Sequence, residues 1–285
     1  MLVNFNITIF FSLLLAIGSL LLPAPMSFAK LQTESFTDTE RELLIGMFSH
    51  DEKRKTLVTK LVYDDRNRKL PLVLPKNIHN KQVKRNYSSF FDTYSLYRTK
   101  KFMKRWKTVL ADAEKLHDVD KEAIVSIILV ETGLGTMKGR YHVFSVFSSI
   151  VVDATEALKG DLENSARYTK KLNWAKEELE ALFKLAEDRD INVLAIKGSR
   201  SGAFGIPQFL PSSYQKWGID GDKNEAVSLH NFPDAIFSTA NYLKVHGWKR
   251  GLDNVENRKA VFDYNNSQIY VDTIMQLAKK FQDNM

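Results

Sequence analysis

The stretch that decides the fold is D-K-E-A-I-V-S-I-I-L-V-E-T-G-L-G, at residues 120–135. Its aliphatic residues recur with helical spacing and leave few polar positions, which predicts a helix with a buried apolar face. Asp120 is a residue type that favours the N-cap of a helix, and Gly133 and Gly135 favour its end. We therefore expect a core helix that starts near Asp120 and runs through Glu131.

Helical periodicity extends over most of the chain after residue 100. Apolar residues spaced for one helical face predict a helix through residues 102–113. Further amphipathic helices are predicted over residues 174–187, 234–246 and 268–281, and Pro71 and Pro75 predict a loop. Strand-like alternation is scarce, so we expect a mainly α fold with little β structure.

The first 29 residues read as a secretory signal peptide. They contain no charged side chain, and residues 9–22 form an apolar run that is followed by Pro23 and Pro25. The run is shorter than the about 20 residues that span a bilayer. The small residues Ser27 and Ala29 suit a signal peptidase, so we expect cleavage after Ala29. The alternative is an uncleaved N-terminal anchor; both place the remaining chain outside the cytoplasm.

Composition and charge narrow the class of protein. Of 285 residues, 44% are hydrophobic and 26% charged, which excludes a disordered chain and a multi-span membrane protein. The net charge is +7, and residues 30–110 hold 19 basic against 9 acidic side chains. Such a region, with aromatic residues between the charges, can bind nucleic acid or an anionic wall polymer. The alternative is a solvated helix face with the aromatic residues in the core. The lack of cysteine excludes disulfides, thiolate metal sites and a lipid-modified N-terminal cysteine.

Glu131 is the strongest candidate for a catalytic residue. It follows four aliphatic residues near a helix C-terminus, and both burial and the helix dipole would raise its pKa. A carboxyl that stays protonated near neutral pH can act as a general acid on a glycosidic oxygen. The alternative is a glutamate that ends the helix and faces water.

A second candidate site is the loop S-R-S-G-A-F-G-I-P-Q-F at residues 199–209, which enters a helix near Pro211. Its small residues allow a ligand to approach the backbone closely. The Gln208 amide can both donate and accept, which suits a sugar hydroxyl or acetamido group. The alternative is an ordinary Gly-Pro turn.

Four segments together resemble the membrane-bound lytic murein transglycosylase B family. They are V-E-T-G-L-G (130–135), G-A-F-G-I-P-Q-F-L-P-S-S-Y (202–214), D-A-I-F-S-T-A-N-Y-L-K-V-H-G-W (234–248) and Y-N-N-S (264–267). Their order and spacing match the family, and the resemblance covers roughly residues 102–281. It implies a lysozyme-like fold with a groove for peptidoglycan glycan strands. The chain would then comprise a signal peptide (1–29), a basic helical region (30–100) and a catalytic domain (101–285).

The resemblance also implies a reaction. Glu131 stands at the position of the single catalytic acid, which protonates the bond between N-acetylmuramic acid and N-acetylglucosamine and then acts as a base. The product is a 1,6-anhydromuramyl end, formed without hydrolysis and without a required cofactor. The positions matched to substrate-binding residues of the family are Ser199, Gln208, Tyr242, Tyr264 and Asn265.

A possible calcium loop follows the second motif. Asp220, Asp222 and Asn224 alternate as at the start of a calcium loop, and Asp234 could add a carboxylate. Glu225 occupies the position of the usual glycine, so a polar turn without metal is an equal alternative. Some members of the family bind calcium here, so the resemblance implies a structural calcium ion.

Three alternatives to a periplasmic, soluble, monomeric transglycosylase remain open. A hydrolytic muramidase on the same fold would need a second carboxylate, for which Asp153 and Glu156 are candidates by sequence position. A non-catalytic wall-binding protein would use the basic region to hold glycan. Nucleic-acid binding is the least supported alternative, because a secretory signal is hard to reconcile with it. We therefore expect no nucleic-acid partner. Without cysteine, the chain is not expected to be a lipoprotein.

Overall fold

Helices make up most of the chain that the computed structural model describes, namely residues 33–71, 73–74, 86–161, 163–252 and 254–284. The predicted signal peptide lies outside these residues. The helices are α1 (Asp38–Phe48), α2 (Glu52–Val62), α3 (Thr93–Arg105), α4 (Lys107–His117), α5 (Lys121–Thr132), α6 (Val143–Gly160), α7 (Ser165–Asp188), α8 (Pro211–Trp217), α9 (Phe232–Val245), α10 (Val255–Tyr264) and α11 (Gln268–Asn284).

Extended structure is limited to two short strands in the described chain. The strands β1 (Tyr141–His142) and β2 (Lys197–Gly198) pair antiparallel, with Tyr141 opposite Gly198. The mainly α fold expected from the sequence is therefore confirmed.

The predicted core helix is α5, and it begins and ends where the sequence indicates. Ile124, Ile127 and Ile128 are fully buried, in a cluster to which α3, α4, α9, α10 and α11 also contribute. Gly133 caps the C-terminus in the left-handed conformation, with φ of 58°. Asp120 is the N-cap residue, although its carboxylate accepts from the Trp248 indole and the Gly251 N–H rather than capping the helix. The start of α5 is thereby tied to the loop after α9.

A second helical layer is built around the packed pair α6 and α7, which α1 and α2 cover. Aromatic rings join these helices, since Phe48 of α1 meets Phe183 of α7 edge-on at 5.7 Å. Residues Thr33–Met285 form one compact unit. The boundary predicted at residue 100 falls within α3, and the proposed division of the chain stays a prediction.

The prediction of one continuous helix through residues 102–113 is wrong, because the structure has two helices that are separated at Trp106. There α3 ends and α4 begins, and the indole of Trp106 packs against Phe232 at 5.1 Å. This tertiary contact overrides the continuous periodicity of the sequence. The other three predicted helices are α7, α9 and α11, of which α7 starts nine residues earlier than expected. Among the described residues, no helix has both the length and the apolarity to cross a membrane.

Candidate active site

Glu131 is half-buried at the second-last position of α5. Its Oε1 accepts a hydrogen bond of 2.7 Å from the hydroxyl of Tyr270, which α11 places across the end of α5. The Tyr270 side chain is only 1% exposed. Burial, together with the neighbouring Glu131 charge, raises the pKa of Tyr270 well above its usual range. Tyr270 therefore remains protonated and serves as a fixed donor to the carboxylate.

An aromatic wall stands beside this carboxylate. The Tyr242 and Tyr264 rings meet edge-on at 4.7 Å, and Phe209 lies within 5.9 Å of both. The wall continues through Trp217 to His246, whose ring stacks on Tyr242 at 3.9 Å. Burial and the charge of Glu131 raise the pKa of Tyr264. The sequence-predicted residues Tyr242 and Tyr264 are thus brought together at Glu131.

The glycine-rich loop is anchored to the end of α5. The Thr132 hydroxyl, one residue beyond Glu131, donates to the Ile206 carbonyl at 2.9 Å. The Tyr264 hydroxyl donates to the Pro207 carbonyl at 2.5 Å. Gly205 adopts φ of +77°, and a Cβ there would lie 2.4 Å from Leu229 Cβ. The glycine is therefore required for the loop to pack this closely.

Gln208 lies in this loop with a positive φ of 54°. Its Nε2 donates to the Gly205 carbonyl at 2.9 Å, which orients the amide. Within the described chain, the Oε1 oxygen accepts no hydrogen bond, so it can receive one from a ligand.

Ser199 and Asn265 both lie outside the helices, directly after β2 and α10. The Ser199 hydroxyl accepts from the Ser201 N–H, inside the loop that β2 leads into. Asn265 is the C-cap residue of α10, directly after Tyr264. Asn265 is thus next to the wall in sequence, and the assignment of both residues to the substrate site stays a prediction.

The two residues suggested as a second carboxylate have other partners. Asp153 pairs with Lys69 at 3.1 Å, and Lys69 also binds Glu40, in a separate groove between α1 and α6. Glu156 is exposed and pairs with Lys159. Both carboxylates thus form ion pairs with lysines on the α1–α6 face.

The predicted calcium residues gather in the loop before α9. Carboxylate oxygens of Asp220, Asp222 and Asp234 all lie within 4.8 Å of one another. Desolvation and the nearby Asp234 charge raise the pKa of Asp222, whereas backbone hydrogen bonds from Glu225 and Asn224 lower the pKa of Asp220. Asn224 instead accepts from the Ala226 N–H. Glu225 adopts φ of +69°, so the turn forms without the usual glycine.

Buried Asp234 organises this loop. Its carboxylate accepts hydrogen bonds from four donors on the residues Gly221, Asp222, Ser228 and Asn231. The loop is thereby closed by protein groups, while Asp220 and Asp222 remain at its surface. The three carboxylates fit a divalent cation chemically, with Asp234 as the preorganised member.

Sequence reasoning missed Tyr270, although it makes the direct contact with Glu131. The signal was indirect: Tyr270 lies on the apolar side of the predicted helix 268–281, and a buried tyrosine hydroxyl normally has a hydrogen-bond partner. Which partner it has depends on how α11 packs against α5, and no local pattern encodes that.

Comparison with known proteins agrees with this arrangement. Residues 53–257 match the family described as Transglycosylase SLT domain. Membrane-bound lytic murein transglycosylase B of Escherichia coli (strain K12) is 32% identical over 150 residues, 53% of this chain and 38% of that protein. The chain thus matches well under half of that relative's length.

Solved structures share the fold. Escherichia coli lytic transglycosylase SLT35 with bulgecin A has a TM-score of 0.73 at 20% identity, covering 88% of this chain and 96% of that one. The same protein has been solved in complex with calcium, with a TM-score of 0.72 at 21% identity and the same coverage. Soluble lytic transglycosylase SltB1 of Pseudomonas aeruginosa has a TM-score of 0.69 at 22% identity, covering 86% and 98%. These likenesses confirm the expected lysozyme-like transglycosylase fold. The chain belongs to the transglycosylase SLT domain family, as its resemblance to the membrane-bound lytic murein transglycosylase B family predicted.

Proposed function

We propose that the chain is a lytic transglycosylase that cleaves the bond between N-acetylmuramic acid and N-acetylglucosamine in peptidoglycan. The observation that carries this proposal is the half-buried Glu131 carboxylate, held by Tyr270 at 2.7 Å beside an aromatic wall. In this proposal Glu131 first protonates the glycosidic oxygen and then removes the proton from the muramyl 6-hydroxyl. That hydroxyl attacks the anomeric carbon, so the product is a 1,6-anhydromuramyl end.

Each neighbour of Glu131 has a role that its contacts support. Tyr270 fixes the rotamer of the carboxylate, because its hydroxyl stays protonated and donates to one oxygen. Tyr264 is partly exposed and is proposed to contact a sugar with its ring, and Tyr242, which is only 6% exposed, is proposed to support that ring edge-on. Gln208 presents its amide oxygen to a sugar hydroxyl or acetamido N–H. Ser199 and Asn265 are proposed as outer substrate contacts, on the strength of their motif positions.

The single-carboxylate chemistry is favoured over hydrolysis by the partners of Asp153 and Glu156. A muramidase of the two-carboxylate kind needs its second acid across the sugar from the first. Lys69 and Lys159 engage the two candidates on another face. The substrate's own acetamido group is proposed to assist instead.

Location and partners follow from the same proposal. Peptidoglycan glycan strands are the partner, the chain acts as a soluble monomer in the periplasm, and no nucleic acid is involved. The relative in Escherichia coli is named as membrane-bound. The absence of cysteine argues against a lipid-modified cysteine in the sequence given.

A structural calcium ion is proposed for the loop before α9. Asp220, Asp222 and Asp234 would supply carboxylate oxygens, and Asn224 is proposed as a weaker ligand because its amide oxygen already accepts from Ala226. The calcium complex of SLT35 supports this assignment. The ion would hold the loop that precedes α9, which carries Tyr242; it takes no part in the reaction.

The masses of released fragments test the proposed reaction. We expect purified peptidoglycan, digested with the protein, to give muropeptides that are lighter by one water molecule than hydrolytic products. Fragments of hydrolytic mass would replace the proposal with a muramidase. No release by a folded protein would favour a non-catalytic wall-binding protein.

A further inference from the structure

Glu178 is a buried acid of the second helical layer. It belongs to α7, and its side chain is only 3% exposed. Its Oε2 accepts a hydrogen bond of 2.9 Å from the Ser212 N–H, and its Oε1 accepts one of 2.7 Å from the Ser212 hydroxyl. Burial raises the pKa of Glu178, and the two bonds from Ser212 act in the opposite direction. Both oxygens of this carboxylate are thus engaged by one residue of α8.

Ser212 is the second residue of α8, so Glu178 holds the start of that helix. The N–H groups in the first turn of a helix have no partner within the helix and need an acceptor from outside it. One turn further along α8, Gln215 Nε2 donates to the Ala181 carbonyl of α7 at 2.8 Å. Because α8 has only seven residues, these bonds to α7 fasten most of its length.

Gln208 lies four residues before Ser212, in a segment that is held at both ends. On one side of it, the Pro207 carbonyl accepts a hydrogen bond of 2.5 Å from the Tyr264 hydroxyl. On the other side, Ser212 is bound to Glu178. The aromatic wall therefore fixes one end of the segment, and the second helical layer fixes the other.

The backbone of Gln208 depends on these anchors. Its φ of 54° lies in the left-handed region, which is unfavourable for a residue that has a side chain. Such a conformation persists only where the surrounding structure imposes it. The Gln208 amide donates to the Gly205 carbonyl at 2.9 Å, and this bond requires the same turn. Release of the start of α8 would let the turn relax and the amide rotate away.

We propose that Glu178 is a positioning residue that keeps the Gln208 amide in its sugar-binding orientation, acting through the first turn of α8. The inference rests on the proposed function, in which Gln208 contacts the substrate. Glu178 itself contacts Ser212 and takes no part in the reaction. Loss of its bonds should weaken the binding of substrate and transition state alike, which raises KM and leaves kcat nearly unchanged.

Two substitutions of Glu178 separate its hydrogen bonds from its charge. Glu178→Leu has an apolar side chain of similar size and leaves the two Ser212 donors without this acceptor. Glu178→Gln is the conservative variant, because its amide oxygen can accept from the N–H and its amide nitrogen can donate to the hydroxyl oxygen. Glu177→Leu is the matched control, since Glu177 is exposed on the same helix. Every variant is assayed well below its measured melting temperature.

We expect Glu178→Leu to raise KM for soluble peptidoglycan strands about tenfold, with kcat within about twofold of the wild type. Glu178→Gln and Glu177→Leu should keep both constants close to those of the wild type. In a Gln208→Ala background, Glu178→Leu should raise KM little further, because the group that it positions is already absent. An unchanged KM, a fall in kcat alone, or an equal rise of KM in both backgrounds overturns the proposal.

Ser212→Ala keeps the test available if Glu178→Leu does not fold. It removes only the hydroxyl bond, so KM should rise about threefold, again with little change of kcat. An unchanged KM in this variant would also overturn the role of Glu178.

A binding measurement separates this inference from the proposed reaction. In the Glu131→Gln background, cosedimentation with peptidoglycan gives Kd for the same variants without turnover, and Glu178→Leu should raise Kd about tenfold. Absence of fragment release by the wild-type chain rejects the transglycosylase. An unchanged Kd in Glu178→Leu rejects the positioning role, whatever the wild type releases.

Discussion

Two carboxylates of this chain show how the same group serves opposite purposes. Glu131 is half-buried at the end of α5, and its Oε1 accepts a hydrogen bond from the Tyr270 hydroxyl. Asp234 is fully buried at the start of α9 and accepts from four donors of its own loop. Asp234 is therefore held in place by its own loop, next to Asp220 and Asp222, whereas Glu131 lies beside Tyr264 of the aromatic wall.

The difference teaches that burial alone does not identify a catalytic acid. A buried carboxylate that accepts several hydrogen bonds from its own loop contributes to stability. A carboxylate that a tyrosine hydroxyl orients beside an aromatic wall is placed to meet a substrate. Function should therefore depend on Glu131 with little effect on stability, and Asp234 should show the reverse.

The largest expected effect is on catalysis by Glu131→Gln. The amide keeps the shape of the side chain but cannot transfer the proton, so peptidoglycan turnover should fall about 10³-fold. The measurement is the rate of muropeptide release, with thermal unfolding as the control for folding. Turnover close to that of the wild type would remove Glu131 from its proposed role.

Asp234→Ala should chiefly affect stability. It leaves four donors without their acceptor in a buried loop, so the free energy of unfolding should fall by about 3 kcal/mol. Urea denaturation measures the change, and Asp222→Ala is the control because the Asp222 side chain lies at the loop surface. Similar losses for the two variants would contradict the role assigned to Asp234.

Tyr270→Phe should separate positioning from chemistry. Loss of the 2.7 Å hydrogen bond frees the Glu131 rotamer, and kcat should fall about tenfold, or about 1.4 kcal/mol. Tyr214→Phe is a matched control, since that hydroxyl donates to the Val227 carbonyl far from α5 in sequence. The pH profile of kcat should shift in Tyr270→Phe and not in Tyr214→Phe. If kcat and its pH profile are unchanged in Tyr270→Phe, Tyr270 only packs against its neighbours and does not position Glu131.

Calcium should stabilise the loop modestly. An ion that binds only the folded chain adds about 1.4 kcal/mol when its concentration is about ten times Kd. The melting temperature is compared with and without calcium in the wild type and in Asp222→Ala, which should lose the response. The same wild-type melting temperature with and without calcium would contradict the proposed metal site.

The buried tyrosines give the smallest effect, and it appears only in alkali. The pKa of Tyr270 and of Tyr264 is raised in the fold above the ordinary value of 10.0, chiefly by burial. Their contribution to stability is therefore complete below pH 10.0 and is lost as the pH rises above it. Urea midpoints on either side of that pH should show a shallower loss in Tyr270→Phe than in the wild type. An equal decrease of the urea midpoint with pH in the two proteins would contradict a contribution of Tyr270 to stability through its raised pKa.

Local sequence signals predicted the helix end at which Glu131 lies and the turn that contains Gln208, because helix ends and glycine-rich turns are encoded by neighbouring residues. The signals also predicted α5, which Gly133 ends as expected. They failed at Trp106, where packing on Phe232 breaks the helix, and at Tyr270, whose partner lies 139 positions away in sequence. Contacts of that kind are set by the packing of whole helices, which periodicity does not specify.

Digestion of peptidoglycan in water enriched in the heavy oxygen isotope tests the central claim most directly. If Glu131 directs the muramyl 6-hydroxyl to the anomeric carbon, the fragment ends form without water, and mass spectrometry should detect no heavy oxygen in them. One heavy oxygen for each new end would show that water is the nucleophile, and the single-carboxylate account of this site would be wrong.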